Sequence, residues 1–303
     1  MYSIRKILSE LEVPHEQIGE NRDLFTLILP TDQADSNALI FFDRPDAKTL
    51  DRLAEKKYAV ALVERTWAAA HRDEIKRRGG AILAVENPRL VIARITSLLF
   101  PDDEQTAPGV DPTARVDSNA RIHPSVKIGP YCIVGECEIG EGSVIGAFSV
   151  IKNGCVLRKR VTVREHCCVG GTGFGFVRNH LGTLERIPHV GHVLLEDDVE
   201  LFPYVNVDRA TFGVTVVGRG TKIDHYAHIG HNSSIGVDTV ITAGVVLCGG
   251  SRVGDRCWLG VGSIMKEKRT LGNEAKTGLG AVVLRDVPDS TVVVGVPAKP
   301  IRE

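Results

Sequence analysis

The sequence predicts a small N-terminal α/β domain, then a parallel β-helix built from hexapeptide repeats, then a short non-repeat tail. Three observations predict it. Over residues 1–106, short apolar runs alternate with amphipathic stretches. From Val110 onward an aliphatic residue returns every six positions. Residues 286–303 lose that period.

In the first segment, "SIRKILSELE" places Ile4, Ile7, Leu8 and Leu11 on one helical stripe. "ALIFF" (38–42) reads as a buried strand, "DRPDA" as a turn and "KTLDRLAEKKYA" (48–59) as a helix. "VALVE" (60–64) is the next strand, and "AAHRDEIKRRGG" (69–80) a helix ended by glycine. "AILAVE" is another strand and "NPRLVIARITSLLF" (87–100) a last helix. "PDDEQTAPG", polar and flanked by prolines, marks a linker.

Residues 107–285 change character. Val110, Val116, Ile122 and Ile128 share one phase, and Val217, Ile223, Ile229, Ile235, Ile241 and Leu247 continue a later series. Period six fits neither the 3.6 of a helix nor the alternation of a strand. It fits short strands wound around a prism, each coil hydrogen-bonded to the next. The aliphatic residue points inward, and the glycine that often follows it, as at Gly218, Gly230 and Gly254, is expected to turn the corner with positive φ. Small residues are expected two positions earlier, where Cys132, Cys137, Cys155, Cys167 and Cys257 fall; Cys168 and Cys248 lie outside that phase. The repeat breaks at 171–194, "GTGFGFVRNHLGTLERIPHVGHV", where a functional loop is expected.

The chemistry is constrained by composition. Lys plus Arg number 37 against 38 for Asp plus Glu, so a net charge of −1 gives no general case for nucleic acid. The basic clusters "KRR" (76–78) and "RKR" (158–160) read as solvated charge or as contacts to an anion. The N-terminus lacks an apolar run of signal-peptide length, and no stretch nears the roughly 18–20 apolar residues of a membrane span. Seven cysteines without a CxxC pair fit a reducing compartment, so a cytoplasmic protein is expected.

Against this background "GFGF" (173–176), "VDRATFGVTVVG" (207–218) and "KIDHYAHIGHN" (222–232) together make the chain resemble the UDP-3-O-acylglucosamine N-acyltransferase family. The resemblance spans most of the chain and is strongest over 110–265. It implies a left-handed β-helix, a homotrimer, and transfer of an acyl group from a thioester to the amine of a nucleotide-linked amino sugar, as in lipid A or related surface-glycan synthesis. No tightly bound cofactor is implied; the donor is the phosphopantetheine thioester of acyl carrier protein, or acyl-CoA.

The family motif places its catalytic histidine at His231, and a backbone N–H one coil later, at Gly249, beside the reacting oxygen. An imidazole suits removal of the amine proton, and a donor beside the oxygen suits a tetrahedral intermediate. For substrate contact the candidates are Phe41 and Phe42 (stacking on a base), Phe174 and Phe176, His189 and His192 on the inserted loop, Asp208, Arg209, His225, His228 and Asn232. Lys268 replaces a further family histidine and is a candidate for a phosphate. Ala47 stands near the position of a family tyrosine, and the long C-terminal helix of the family is absent, as in short-chain nucleotide-amino-sugar acetyltransferases. Two other readings stay open. One is a zinc enzyme similar to gamma-class carbonic anhydrase, although hexad phase fans His225, His228 and His231 around the prism. The other is a non-catalytic trimeric scaffold.

Overall fold

A computed structural model describes residues 1–46, 48–55, 57–100 and 108–301. It divides into two compact units, 1–105 and 106–303. Ala47 and the linker residues 101–107 lie outside the described residues.

The first unit is built on a five-stranded sheet in the order Glu16–Gly19, Ala81–Val85, Val60–Glu64, Ala38–Phe41, Leu27–Ile28; all neighbours are parallel except the first pair. Alternate side chains feed two cores. Leu39, Val60, Leu62 and Leu83 pack with Ile4, Leu8, Ile92 and Ile95 on one face. Ile40, Ala61, Val63 and Ile82 pack with Leu53, Ala68 and Ile75 on the other. This period of two is why strands covered by helices on both faces read as continuous apolar runs. The Asn87 side chain caps helix Pro88–Leu99 by accepting from the Leu90 N–H at 2.9 Å. Two expectations are corrected: the helix expected over 48–59 covers only Thr49–Ala54, and that over 69–80 is two helices, Arg65–Ala70 and Arg72–Arg78. His71 breaks the second, at φ −111°, ψ 15°.

The second unit is a parallel β-helix with three walls. Two-residue strands stack in register, one coil per eighteen residues, as in Ile229↔Leu247 on the second wall and Ile235↔Val253 on the third. Among the described residues the walls hold eleven, nine and eight strands. Ile145, Ile151, Leu157, Ile223, Ile229, Ile241 and Leu247 are fully or almost fully buried in one continuous core. The first coil is open: Val110 is 50% exposed, since no described strand precedes it on its wall. Cys132, Cys137, Cys155, Cys167 and Cys257 are buried, and burial raises their thiols above the ordinary range, Cys137 and Cys167 to about 12.

The role expected of the glycines needs correction. Gly218, Gly230 and Gly254 do not adopt positive φ. They are glycines because the next coil is too close: a Cβ on Gly218 would lie 2.6 Å from the Gly236 backbone, and one on Gly230 2.7 Å from the Leu247 carbonyl oxygen. The left-handed conformation falls two residues later in the hexad, often on residues other than glycine. Tyr131, Phe148, His166, Tyr204 and Tyr226 all have φ between 58° and 65° at one corner, and their rings stack at centroid separations of 4.9–5.0 Å.

The basic clusters are paired at the surface: Arg78 with Asp51 and Glu74, Arg160 with Asp198, Lys159 with Glu141. The tail continues the first wall with Val292–Val294, parallel to Lys276–Thr277, and Lys299–Pro300 folds back antiparallel. No described helix is long and apolar enough to cross a membrane.

Candidate active site

Two insertions open the same corner, between the second and third walls. The first leaves the wall after Cys168–Thr172, forms the hairpin Phe176–Arg178/Leu184–Arg186, and rejoins the prism at His192–Leu195. The second is short: the step from Val207 to Val217 is ten residues where the hexad needs six, and the extra turn is Ala210–Gly213. The insertions are tied together by Val190 N–H donating to the Thr211 carbonyl at 3.0 Å and Gly191 N–H to that of Ala210 at 3.0 Å.

His231 sits at this corner on the following coil, half-buried. Asn232 beside it has φ +60°, a conformation asparagine tolerates. Its Nδ2 donates to the Phe212 carbonyl at 3.0 Å, and its Oδ1 accepts from the Thr211 N–H at 3.0 Å. These two bonds fix which end of the amide is oxygen. His231 Nδ1 lies 2.9 Å from that oxygen, so Nδ1 carries the hydrogen and Nε2 keeps its lone pair. Thr211 Oγ1 is 3.4 Å from the same Nδ1.

Gly249 occupies the equivalent corner one coil on. A Cβ there would lie 2.6 Å from His231 Nε2 and 2.7 Å from Cε1. Its N–H makes no hydrogen bond among the described residues, while its carbonyl accepts from the Lys268 N–H at 3.1 Å. The imidazole therefore lies directly over a glycine backbone with a free donor beside it. Gly173 also packs close to this side chain, where a Cβ would come within 2.9 Å of His231 Cβ and Cδ2. His189 packs against it edge to face, with centroids 4.9 Å apart and rings at 77°.

The structure thus gathers His189, His231, Asn232 and Gly249, with Lys268 exposed on the adjoining coil. Phe174, 87% exposed, and half-buried Phe176 touch each other at 5.0 Å on the insertion, and Arg186 covers the Phe176 ring. His192 lies on the rejoining strand, paired with Val214, rather than in a projecting loop.

The other candidates stand apart. His225 is at the corner between the first and second walls, its Nδ1 2.6 Å from Asp224 Oδ1. Burial works against the Asp224 carboxylate, but hydrogen bonds from the His225 ring and N–H outweigh it and hold the group below its usual range. His228 faces outward on the second wall. Asn206 Nδ2, 3.0 Å away, donates to its Nδ1 and also to Asp208 Oδ1 at 2.8 Å, so His228 carries the opposite tautomer from His231. Buried Asp208 and Arg209 do not pair with each other; the Arg209 guanidinium donates to the carbonyls of Gly170 and Asn153. Phe42 is buried in the first unit, where it lines a cleft of about 460 Å³ with Thr31, Asp32, Ile40, Arg52 and Tyr58. Phe41 points to the opposite core. Among the described residues no three His, Cys, Asp or Glu side chains are grouped to hold a metal.

Thr211 and Gly173 were missed as site residues. The signal for Thr211 was the ten-residue step across it, a break in period as readable as the long insertion.

No family model matches the chain. Among solved structures, it superimposes on the UDP-N-acetylglucosamine acyltransferase of Francisella novicida with a TM-score of 0.59 at 24% identity, covering 64% of this chain and 70% of that one. The O-acyltransferase of Moraxella catarrhalis gives 0.58 at 22% identity, over 63% and 73%. At such identities these establish the fold. Among curated proteins, the UDP-3-O-acylglucosamine N-acyltransferase of Anaeromyxobacter dehalogenans is 35% identical over 251 residues, 75% of this chain and 68% of the relative. That of Anaeromyxobacter sp. strain K is 36% identical over 252 residues, with the same coverage. The chain belongs to the UDP-3-O-acylglucosamine N-acyltransferase family and is an N-acyltransferase.

Proposed function

We propose that the protein moves an acyl group from a thioester to the amine of a nucleotide-linked amino sugar, at the corner formed by His231 and Gly249. The observation that carries this is the His231 tautomer: Asn232 takes the Nδ1 hydrogen and leaves Nε2 as a base beside the unused Gly249 N–H. In the step, the amine lone pair attacks the thioester carbon and His231 Nε2 takes an N–H proton as the C–N bond forms. The Gly249 N–H donates to the carbonyl oxygen as it gains negative charge. The C–S bond then breaks, and the imidazolium returns its proton to the departing thiolate, so no other acid or base is required.

The β-helix is left-handed and works as a homotrimer. Phe42 and the cleft around it in the first unit hold the nucleotide part of the substrate, and Lys268, one coil beyond Gly249, faces a phosphate of donor or nucleotide. Phe174 and Phe176 offer apolar area to the acyl chain. The pathway is lipid A or a related surface glycan. The strand-forming tail favours a second reading of the donor, a short acyl-CoA in place of acyl carrier protein.

The test is transfer of radiolabelled acyl groups from acyl carrier protein and from CoA to UDP-3-O-acylglucosamine and other nucleotide amino sugars. The wild type is expected to form an amide, and His231→Ala to lose about 10²–10⁴-fold in kcat. Absence of transfer from either donor to any of these amines would overturn the reading.

A further inference from the structure

His189 packs its imidazole against His231, and its own bonding is incomplete. Its Nδ1 lies 3.0 Å from the Ile187 carbonyl oxygen, which can only accept, so Nδ1 carries the hydrogen and Nε2 the lone pair. That Nε2 is buried with no hydrogen-bond partner, in a residue only 8% exposed. Leaving a buried polar atom without a partner is unfavourable.

What covers this lone pair is backbone. A Cβ on Gly173 would lie 2.8 Å from His189 Nε2, and one on Gly175 2.8 Å from His189 Cε1. The same Gly173 position is 2.9 Å from His231 Cβ and Cδ2, so Gly173 adjoins both imidazoles. Residues 173–175 link Cys168–Thr172 to the hairpin; Gly175 is tied to it by accepting from the Ile187 N–H at 2.9 Å, while Gly173 and Phe174 make no backbone hydrogen bond among the described residues. Gly173 is therefore the backbone group that closes off the His189 lone pair.

We propose that His189 is a substrate-binding residue: with Gly173 displaced, its Nε2 accepts a hydrogen bond from the reacting amine beside His231. This deepens the N-acyl-transfer reading and rests on it. A neutral primary amine has two N–H groups and one lone pair. With one hydrogen directed to His189 Nε2 and the other to His231 Nε2, the lone pair is left for the thioester carbon. No proton moves to His189. A hydroxyl has a single hydrogen and fills only one of the two acceptors, so the pair selects an amine over an alcohol.

The experiment compares the wild type with His189→Asn, His189→Leu and His189→Gln, using UDP-3-O-acylglucosamine as substrate and UDP-3-O-acylglucose as competitive inhibitor. His189→Asn retains a donor to the Ile187 carbonyl but ends short of Nε2, which keeps the local fold if leucine disturbs it. Both Asn and Leu are expected to lower kcat/KM for the amine about ten-fold and to change Ki of the hydroxyl analogue less than about two-fold. Gln, whose amide oxygen reaches the Nε2 position, is expected to recover to within about three-fold of wild type. Undiminished kcat/KM in Asn and Leu variants overturns the assignment, as does equal weakening of amine and hydroxyl ligands. Wild-type protein that transfers to no amine instead defeats the underlying reading.

Discussion

Replacing Gly249 by alanine isolates the geometry on which the catalytic proposal depends. The new Cβ would stand 2.6 Å from His231 Nε2, 2.7 Å from Cε1 and 3.1 Å from Cδ2. An ordinary contact begins near 3.4 Å, so the ring must retreat by roughly 1 Å. It cannot retreat freely, because Gly173 and His189 also pack against it and Asn232 holds Nδ1. A 1 Å misplacement of a catalytic group costs about 10²-fold, or roughly 2.7 kcal/mol of transition-state stabilisation. Gly249 does not have positive φ, so alanine adds no left-handed strain. Gly250 is the control: it has φ +73°, a Cβ there would meet Lys268 at 3.3 Å and not the His231 ring, its N–H bond to the His231 carbonyl is kept in alanine, and the replacement costs roughly 1–2 kcal/mol of stability through the backbone. Steady-state kcat/KM with the amino sugar, beside thermal melting, separates the two. Gly249→Ala is expected to lose activity with a small change in Tm, and Gly250→Ala to lose Tm with kcat/KM near wild type. A Gly249→Ala enzyme within about three-fold of wild type would refute the reasoning, because the ring's position would not matter as the contact distances require.

Two further outcomes follow from the same structure. Asn232→Leu removes the acceptor that fixes the His231 tautomer and is expected to lower kcat at least about ten-fold, whereas Asn232→Asp keeps an acceptor and tolerates positive φ. The added carboxylate favours the imidazolium, so the base stays protonated to higher pH and the acid limb of the kcat profile moves upward; an unmoved limb would show that Asn232 does not touch the base. The cysteines give a test of the prism itself. Burial holds the Cys137 and Cys167 thiols at about 12 and Cys155 at about 11, so a thiol reagent at pH 8 is expected to label native protein only at half-buried Cys168 and Cys248. Mass spectrometry showing rapid modification of the buried five would contradict the core packing.

Much of this fold was legible because a solenoid repeats one local problem. Each coil needs an inward aliphatic, a small neighbour and a crowding-free corner, so the period appears as a string of Ile, Val, Cys and Gly wherever the chain is cut. The reason for the glycines was not legible. Hexad spacing could not tell a left-handed turn from a close coil-to-coil approach, because the sequence carries no distance between residues eighteen apart. In the first unit, Phe41 and Phe42 are adjacent in the chain yet enter opposite cores, since strand side chains alternate.

The sequence by itself determined the prism, the corner that bears His231 and its eighteen-residue partner Gly249, because those depend only on period. The tertiary structure decided what surrounds each histidine. His225, His228 and His231 sit six or fewer residues apart; Asp224 and Asn232 accept at Nδ1 of the histidine next to each in the chain, whereas Asn206 donates to His228 Nδ1 from the preceding coil, and it is at His231 that Gly249 of the next coil lies against the ring. His189 joins the site from forty-two residues away because an insertion returns to the corner it left, a proximity no spacing rule expresses.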